Sequence, residues 1–191
     1  MCASGKYKSV RMSGEPCTDC NAGKFGDKPG GTNPEACRQC MAGTYSSSSA
    51  STCTSCVAGK YKDKAGQTSD SCISCVAGKY QTSSAQISDT CVPCVVGKYK
   101  KETAQASDTC ISCMAGKFGA ALAQDSDTCI NCPPNSGTIA TGSASVSTCL
   151  ADAGYTDIVG SDQKLLCSEG TYKDKIFSSA ACSSCPQNTG T

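Results

Sequence analysis

The sequence has no histidine and no tryptophan, and only three of its 191 residues are phenylalanine. Without histidine, the Ser-His-Asp and Cys-His arrangements of nucleophilic catalysis are excluded within this chain. Its carboxylates are scattered through polar stretches, so no apolar cleft could tune a general acid and base. Leucine and isoleucine are also sparse. We therefore expect no enzyme and no large hydrophobic core.

Strong charge of either sign is missing as well, because 17 basic residues balance 16 acidic ones and the net charge is +1. Without a long basic run, nothing favours nucleic acid or an anionic membrane as a partner. No apolar run approaches the roughly 18 residues that span a bilayer. The start, MCASGKYKSV, lacks the charged and then apolar segments of a secretory signal, which we expect to lie outside this chain.

Cysteine is abundant instead, and 19 residues of it reach the level typical of a disulfide scaffold. Most of the cysteines fall in Cys-x-x-Cys pairs that recur about 19 residues apart, and such a period is typical of a repeat array. The first cysteines of these pairs are Cys17, Cys37, Cys53, Cys72, Cys91, Cys110 and Cys129, and a last pair follows at Cys182 and Cys185.

The units share one pattern, in which a glycine, usually a lysine and then an aromatic residue follow the second cysteine, as in CVAGKY at 56–61. The glycine fits a turn with positive φ, and the residues after it predict a short strand. No helical periodicity is long enough to indicate a helix. The expected fold class is a set of small disulfide-rich repeats in an elongated array of coil and short β-hairpins, with little or no helix.

Three kinds of chemistry compete for these cysteines: four-thiolate zinc sites, thioredoxin-like redox centres and disulfide staples. Serial pairing, from the second cysteine of one pair to the first of the next, is tested by an irregular region. Cys149 and Cys167 both lack a pair mate, because Asp152 and Lys164 stand where the mates are expected. Zinc sites and isolated redox pairs would leave both cysteines as orphans, whereas serial pairing loses one bridge as a whole. The sequence therefore predicts staples, with no metal ligand and no cofactor.

The serial scheme pairs eighteen cysteines. The predicted disulfides are Cys2–Cys17, Cys20–Cys37, Cys40–Cys53, Cys56–Cys72, Cys75–Cys91, Cys94–Cys110, Cys113–Cys129, Cys132–Cys149 and Cys167–Cys182. Cys185 is left over, and CPQNTGT at 185–191 resembles CPPNSGT at 132–138. Its partner is therefore expected beyond this chain, and the alternative is an intermolecular bridge. The opposite charges of Asp152 and Lys164 predict a salt bridge in place of the lost disulfide.

The recurrent aromatic residue and the many serines and threonines each leave two interpretations open. The rings either pack on the disulfides and on the next unit, or form an exposed ladder that binds sugar or a partner. The hydroxyl residues either carry O-linked glycans or keep coreless loops soluble. The aromatic positions are Tyr7, Phe25, Tyr45, Tyr61, Tyr80, Tyr99, Phe118 and Tyr172.

The pattern CxxCxxG-[KT]-[YF], with a closing cysteine about ten residues later, resembles the ephrin-receptor-like cysteine-rich repeat and is more distantly similar to tumour-necrosis-factor-receptor modules. The resemblance covers nearly the whole chain and implies extracellular, disulfide-linked, elongated modules of cell-surface or secreted proteins. It also implies the loop-closing bridge at Cys56–Cys72 and its equivalents. The receptor modules interlace six cysteines, however, so their ligand site is not carried over to this chain.

From these patterns we expect tandem repeats over 1–149, a variant unit lacking one disulfide over 150–166, and a further repeat over 167–191. The expected function is that of an extracellular or cell-surface structural protein: a rod, a spacer or a filament component that self-associates. The alternative is the ligand- or glycan-binding ectodomain of a receptor or adhesin.

Overall fold

The structure is a computed structural model that describes residues 1–9, 14–69, 71–159 and 161–186. Residues 187–191, on which the interpretation of Cys185 partly depends, lie outside this range. The chain forms two compact units, one of 1–92 with 102–108 and the other of 93–101 with 109–191. Each unit is described by itself below.

Short strands and two single-turn 3₁₀ helices make up the regular structure of the described residues, which contain no α-helix. The 3₁₀ helices are Pro34–Ala36 and Val146–Thr148. The strands are β1 Lys6–Tyr7, β2 Thr18–Asp19, β3 Lys24–Phe25, β4 Arg38–Gln39, β5 Thr44–Tyr45, β6 Thr54–Ser55, β7 Lys60–Tyr61, β8 Ile73–Ser74, β9 Lys79–Tyr80, β10 Val92–Pro93, β11 Lys98–Tyr99, β12 Ile111–Ser112, β13 Lys117–Phe118, β14 Ile130–Asn131, β15 Ser136–Gly137, β16 Leu150–Ala151, β17 Tyr155–Asp157, β18 Lys164–Leu166, β19 Thr171–Tyr172 and β20 Ser183–Ser184.

Each repeat is a hairpin between its aromatic strand and the two residues after its closing cysteine. In the pair β7–β8, Tyr61 lies opposite Ile73, and the amide of Cys75 donates to the Gly59 carbonyl at 2.8 Å. An aromatic ring opposite a β-branched side chain is a favourable cross-strand pair. The two residues of each Cys-x-x-Cys linker therefore form a strand and hold the next cysteine in place.

Successive repeats are joined by backbone hydrogen bonds of one recurring kind. The Lys62 amide donates to the Gln86 carbonyl at 2.9 Å, and Tyr61 forms a parallel bridge with Gln86 of the following repeat. The Ala85 amide of that repeat donates back to the Cys56 carbonyl at 2.8 Å. Equivalent parallel bridges are Tyr7–Gly31, Tyr45–Gln67, Tyr80–Gln105, Tyr99–Gln124 and Phe118–Ser143.

In several repeats, a turn glycine allows the repeat to reach the repeat after next. Gly59 has φ +83°, and a Cβ built there would lie 2.2 Å from the carbonyl oxygen of Ala104, two repeats further along. Only glycine tolerates both the positive φ and the close approach without strain. The turn glycine predicted from the sequence is therefore also a packing position.

Disulfide sulfur takes the place of a hydrocarbon core. Cys20, Cys40, Cys56, Cys75, Cys94, Cys113 and Cys149 are at most 1% exposed and are the largest fully buried side chains among the described residues. Of the aromatic rings, Phe118 is buried at 8% exposure. The expected fold class, short hairpins with almost no helix in a repeated disulfide array, is confirmed.

Candidate functional site

Nine disulfides close the loops of the repeats, with Cα–Cα distances from 5.5 to 5.9 Å. Their pairs are Cys2–Cys17, Cys20–Cys37, Cys40–Cys53, Cys56–Cys72, Cys75–Cys91, Cys94–Cys110, Cys113–Cys129, Cys132–Cys149 and Cys167–Cys182. The second cysteine of each sequence pair thus opens a ring that the first cysteine of the next pair closes. Cys185 is exposed and has no disulfide.

In six repeats, the third residue after the turn glycine (or after Asn135 in one repeat) forms a buried polar position that was not predicted from the sequence. Its occupants are Ser46, Lys62, Gln81, Lys100, Thr138 and Lys173, and they are between 2% and 9% exposed. Buried polar groups need hydrogen-bond partners. Lys62, Gln81 and Lys100 find theirs in the polar loop that precedes the closing cysteine, whereas the Ser46 hydroxyl donates to the Lys24 carbonyl. The signal in the sequence is the fixed place of this residue, three positions after the residue at the turn.

Gln81 shows how the buried polar position is satisfied. Its Nε2 donates to the carbonyl oxygen of Thr90 at 2.9 Å and to the Thr90 hydroxyl at 2.6 Å. Its Oε1 accepts from the Ser83 amide at 3.1 Å. Lys100 makes the equivalent pair of bonds to Thr109, at 3.2 and 2.6 Å. An ammonium and an amide therefore perform the same task, which is to fasten the polar loop against the strand.

The predicted aromatic positions are mostly half-buried, with Phe118 buried and Tyr172 exposed at 44%. Each strand ring lies in the hairpin of its own unit, and the adjoining backbone bridges the next unit. Half-buried rings favour the packing interpretation of the recurrent aromatic residue over a fully exposed ladder.

The variant unit contains an ion pair that differs from the predicted one. Lys164 pairs with Asp157 and not with Asp152: its Nζ lies 2.6 Å from Asp157 Oδ1, and its side chain is 7% exposed. Asp157 and Lys164 face each other directly in the antiparallel pair β17–β18. Asp157 is three residues beyond the turn glycine Gly154 and therefore corresponds in sequence to the buried polar residues of the other repeats, although its own side chain is 33% exposed.

The predicted place of the missing second cysteine is also corrected. Ala151, with no exposed surface, occupies the buried place that Cys56 has in a regular unit. The Ser178 amide donates to the Ala151 carbonyl at 3.2 Å, as the Ala85 amide does to Cys56. The linker after Cys149 is one residue shorter than elsewhere. Counting back from the turn glycine, and not forward from the cysteine, would have identified this position.

Charged side chains of the first two hairpins pair across their strands. Lys6 Nζ lies 3.0 Å from Asp19 Oδ1, and both side chains are half exposed. Hydrogen bonds from Lys6 and then from Ser49 hold the pKa of Asp19 below its ordinary value. In the next hairpin Arg38 pairs with Asp27, and its guanidinium carbon lies 4.9 Å from the centroid of the Phe25 ring.

A cleft of about 390 Å³ lies beside this Arg38 pair, where the ring Cys40–Cys53 is shorter than its neighbours. The cleft is lined by Phe25, Arg38, Gln39, Met41, Thr44, Thr52 and Cys53. Met41 is 77% exposed at its edge. The cleft combines apolar surface with hydroxyl, amide and guanidinium donors.

Two searches bear on metal and membrane. Within the described residues, no three His, Cys, Asp or Glu side chains come together as a metal site would require. No helix in this part of the chain is long and apolar enough to cross a bilayer.

These features define a class of molecule: a tandem array of disulfide-closed hairpin repeats. Two segments, 43–85 and 103–149, match the family model described as tyrosine-protein kinase ephrin type A/B receptor-like. This match is consistent with the ephrin-receptor-like cysteine-rich repeat that the sequence pattern predicts. A search of curated proteins found no match. The similarity to tumour-necrosis-factor-receptor modules stays a prediction.

The family places limits on the class of function. Disulfide-rich repeats of the ephrin-receptor-like kind suggest an extracellular module, because disulfides persist in oxidising environments. Such receptor-like ectodomain modules are not typically enzymatic.

Proposed function

We propose that the chain is a structural repeat protein of the extracellular space, acting as a disulfide-stapled rod, a spacer or a component of a cell-surface fibre. The observation that carries this proposal is the recurrence of one set of hydrogen bonds between successive repeats. Lys62 to Gln86 and Gln81 to Gln105 join three consecutive repeats in the same way, at 2.9 Å each. Because these hydrogen bonds involve only backbone atoms and a turn glycine, any number of repeats can be joined in the same way. Such an array needs no repeat with a specialised binding site.

The covalent rings suit this mechanical role. A disulfide that closes a loop of about fifteen residues stabilises by roughly 3 kcal/mol, mainly by restricting the unfolded chain. The two cysteines of each regular ring are 16 positions apart, as in Cys56–Cys72, Cys75–Cys91 and Cys94–Cys110. A pulling force is therefore carried through disulfides and two-residue linkers, while the polar loops stay unloaded.

The nine pairs, and the division into 1–149, 150–166 and 167–191, are part of this proposal. A non-reduced peptide map of the native protein tests them by mass spectrometry. We expect nine loop-closing bridges, with Cys185 in none of them. Zinc in the native protein, or thiols reduced along its length, would contradict the serial scheme.

Fibre formation is tested on native material. A repeated surface can associate with another repeated surface in register, which favours lateral or end-to-end contacts between chains. We expect electron microscopy to show thin filaments, and the peptide map to show O-linked sugar on exposed serine and threonine. Native chains that are always isolated would contradict the role in a filament. The role of a spacer would still be possible.

A binding ectodomain is the second candidate, and the cleft beside Arg38 is the observation that favours it. Clefts of about 300 to 1,000 Å³ with few polar groups are typical ligand sites. Replacement of Met41 by aspartate would abolish the binding of glycans or cell-surface proteins if this candidate is correct. The matched control is Met114→Asp, since Met114 is similarly exposed at 71% and follows the second cysteine of its own unit.

A further inference from the structure

The disulfides decide which broken peptide bonds would separate the chain into two molecules. Hydrolysis inside a ring such as Cys56–Cys72 leaves its two halves joined by the disulfide. Between regular rings only two residues remain, and they form a paired strand, as Ile73–Ser74 does opposite β7. An endopeptidase needs an accessible, extended segment, so these linkers are poor substrates. The regular array therefore resists being cut in two.

The variant unit is the exception to this rule. No disulfide closes the chain between Cys149 and Cys167, so every bond from 150 to 166 is outside a ring. The hairpin β17–β18 is held there by three residue pairs and by the ion pair of Asp157 with Lys164. Local opening of this hairpin breaks no covalent bond, whereas opening of a regular unit is limited by its ring.

The tip of the same hairpin presents apolar side chains to solvent. Val159 is 102% exposed and Ile158 is 37% exposed. The regular loops also expose aliphatic side chains, such as Ile87 at 63% and Leu122 at 61%, but these lie inside the rings Cys75–Cys91 and Cys113–Cys129. Val159 is more exposed than either of them and lies between rings, so a peptidase that cuts beside it breaks the covalent chain.

We propose that the Ile158–Val159 bond is a processing site for an endopeptidase with an aliphatic specificity pocket. Water adds to the carbonyl carbon of Ile158, the C–N bond breaks, and the nitrogen of Val159 leaves as an amine with the second proton. The products are a chain that ends at Ile158 and a chain that begins at Val159. No disulfide joins them, so one cut leaves no covalent link between the repeats of 1–149 and those after 166.

The test begins with the full chain, its disulfides intact, and thermolysin, a metalloendopeptidase that cleaves before exposed aliphatic residues. We expect non-reducing gels to show two separated products early in digestion, and terminal sequencing to find Val159 as the new N-terminus. Val159→Asp removes the aliphatic side chain from a fully exposed position, and we expect at least a tenfold slower separation. Native material is sequenced in parallel for the same new N-terminus.

A ring installed in the variant unit is the matched control. Ala151→Cys together with Lys164→Cys places cysteines at the two positions that are bridged in regular units. The same bond should then be cut, but the products should stay joined until a reductant is added. First separation at a regular linker, or native material in which Ile158–Val159 is always intact, would overturn the proposal.

Discussion

At the scale of single residues, a turn glycine controls the distance between repeats. Gly59→Ala would place a Cβ 2.2 Å from the Ala104 carbonyl oxygen at φ +83°. Left-handed strain and overpacking together predict a loss of about 2 to 5 kcal/mol in the free energy of unfolding. Denaturant titration of the oxidised protein measures this loss.

The matched control for this substitution is Gly116→Ala. Gly116 has φ +80°, but a Cβ there would meet no atom within 4 Å. Strain alone predicts a loss of about 1 to 2 kcal/mol at this position. Equal losses at the two glycines would show that the close approach is unimportant.

A second residue-scale prediction concerns alanine in the left-handed region. Ala104 has φ +56°, where three equivalent positions carry Gly30, Gly66 and Gly142. Ala104→Gly relieves roughly 1 to 2 kcal/mol of backbone strain in the folded protein. It also destabilises the folded protein by about 0.4 to 1 kcal/mol, because glycine gives the unfolded chain more conformational freedom. We expect a net gain of about 0 to 1.6 kcal/mol in the free energy of unfolding, measured by thermal unfolding. Ala77→Gly, at a turn position without positive φ, should destabilise instead.

At the scale of the repeat element, the buried polar position fastens the loop to the strand. Gln81→Lys should be nearly neutral, because Lys100 makes the equivalent bonds to Thr109 in the next repeat. Gln81→Met should cost about 1 to 3 kcal/mol, since it leaves the Ser83 amide and the Thr90 acceptors without their partner. Unfolding free energies compare the two variants. A methionine variant as stable as the lysine variant would refute this role.

Another element-scale prediction concerns the Phe177 ring, which lies beside Gly137, where other repeats have their own aromatic residue. Gly137 stands where other repeats have an aromatic residue, and a Cβ there would lie 2.5 Å from the Phe177 ring of a later repeat. Gly137→Phe alone and Phe177→Ala alone should each cost about 1 to 3 kcal/mol. The double variant should recover at least about 1 kcal/mol of the summed loss.

The control for that cycle is Gly137→Phe with Ile176→Ala, because Ile176 is 63% exposed and adjacent to Phe177. No recovery is expected from this pair. Equal recovery in both double variants would show that the Phe177 ring does not fill the vacant aromatic place.

The repeat element also shows how far sequence reasoning reaches. Cysteine spacing, turn glycines and aromatic strands predicted the hairpins, because each of these is a local requirement written in every unit. The buried Lys62 was missed because burial of a lysine depends on contacts with residues of the loop that the period alone does not place. Asp152 was wrongly paired with Lys164 because a one-residue deletion shifted the turn relative to the cysteines.

At the scale of the whole molecule, stability is shared between neighbouring repeats. A repeat bonds to the next one through backbone amides and contacts the one after that through its turn glycine, as Gly59 does with Ala104. Long arrays of this kind have stabilities that are approximately sums of repeat and nearest-neighbour contributions. Damage to one ring should therefore spread over a few repeats and then fade.

This spread is testable by opening one ring, with Cys75→Ser and Cys91→Ser together. Removal of this loop-closing disulfide should lower the free energy of unfolding by roughly 3 kcal/mol. It also releases the polar loop that carries Gln81 and Gln86. The amides of Gly59 and Lys62 donate to those two residues, so their hydrogen exchange should accelerate at least tenfold. The amide of Cys20, which donates to Gly5 at 2.8 Å far from this ring, should exchange at its original rate. Uniform acceleration along the chain would instead indicate a single cooperative domain, and acceleration confined to 75–91 would indicate that the repeats are energetically independent.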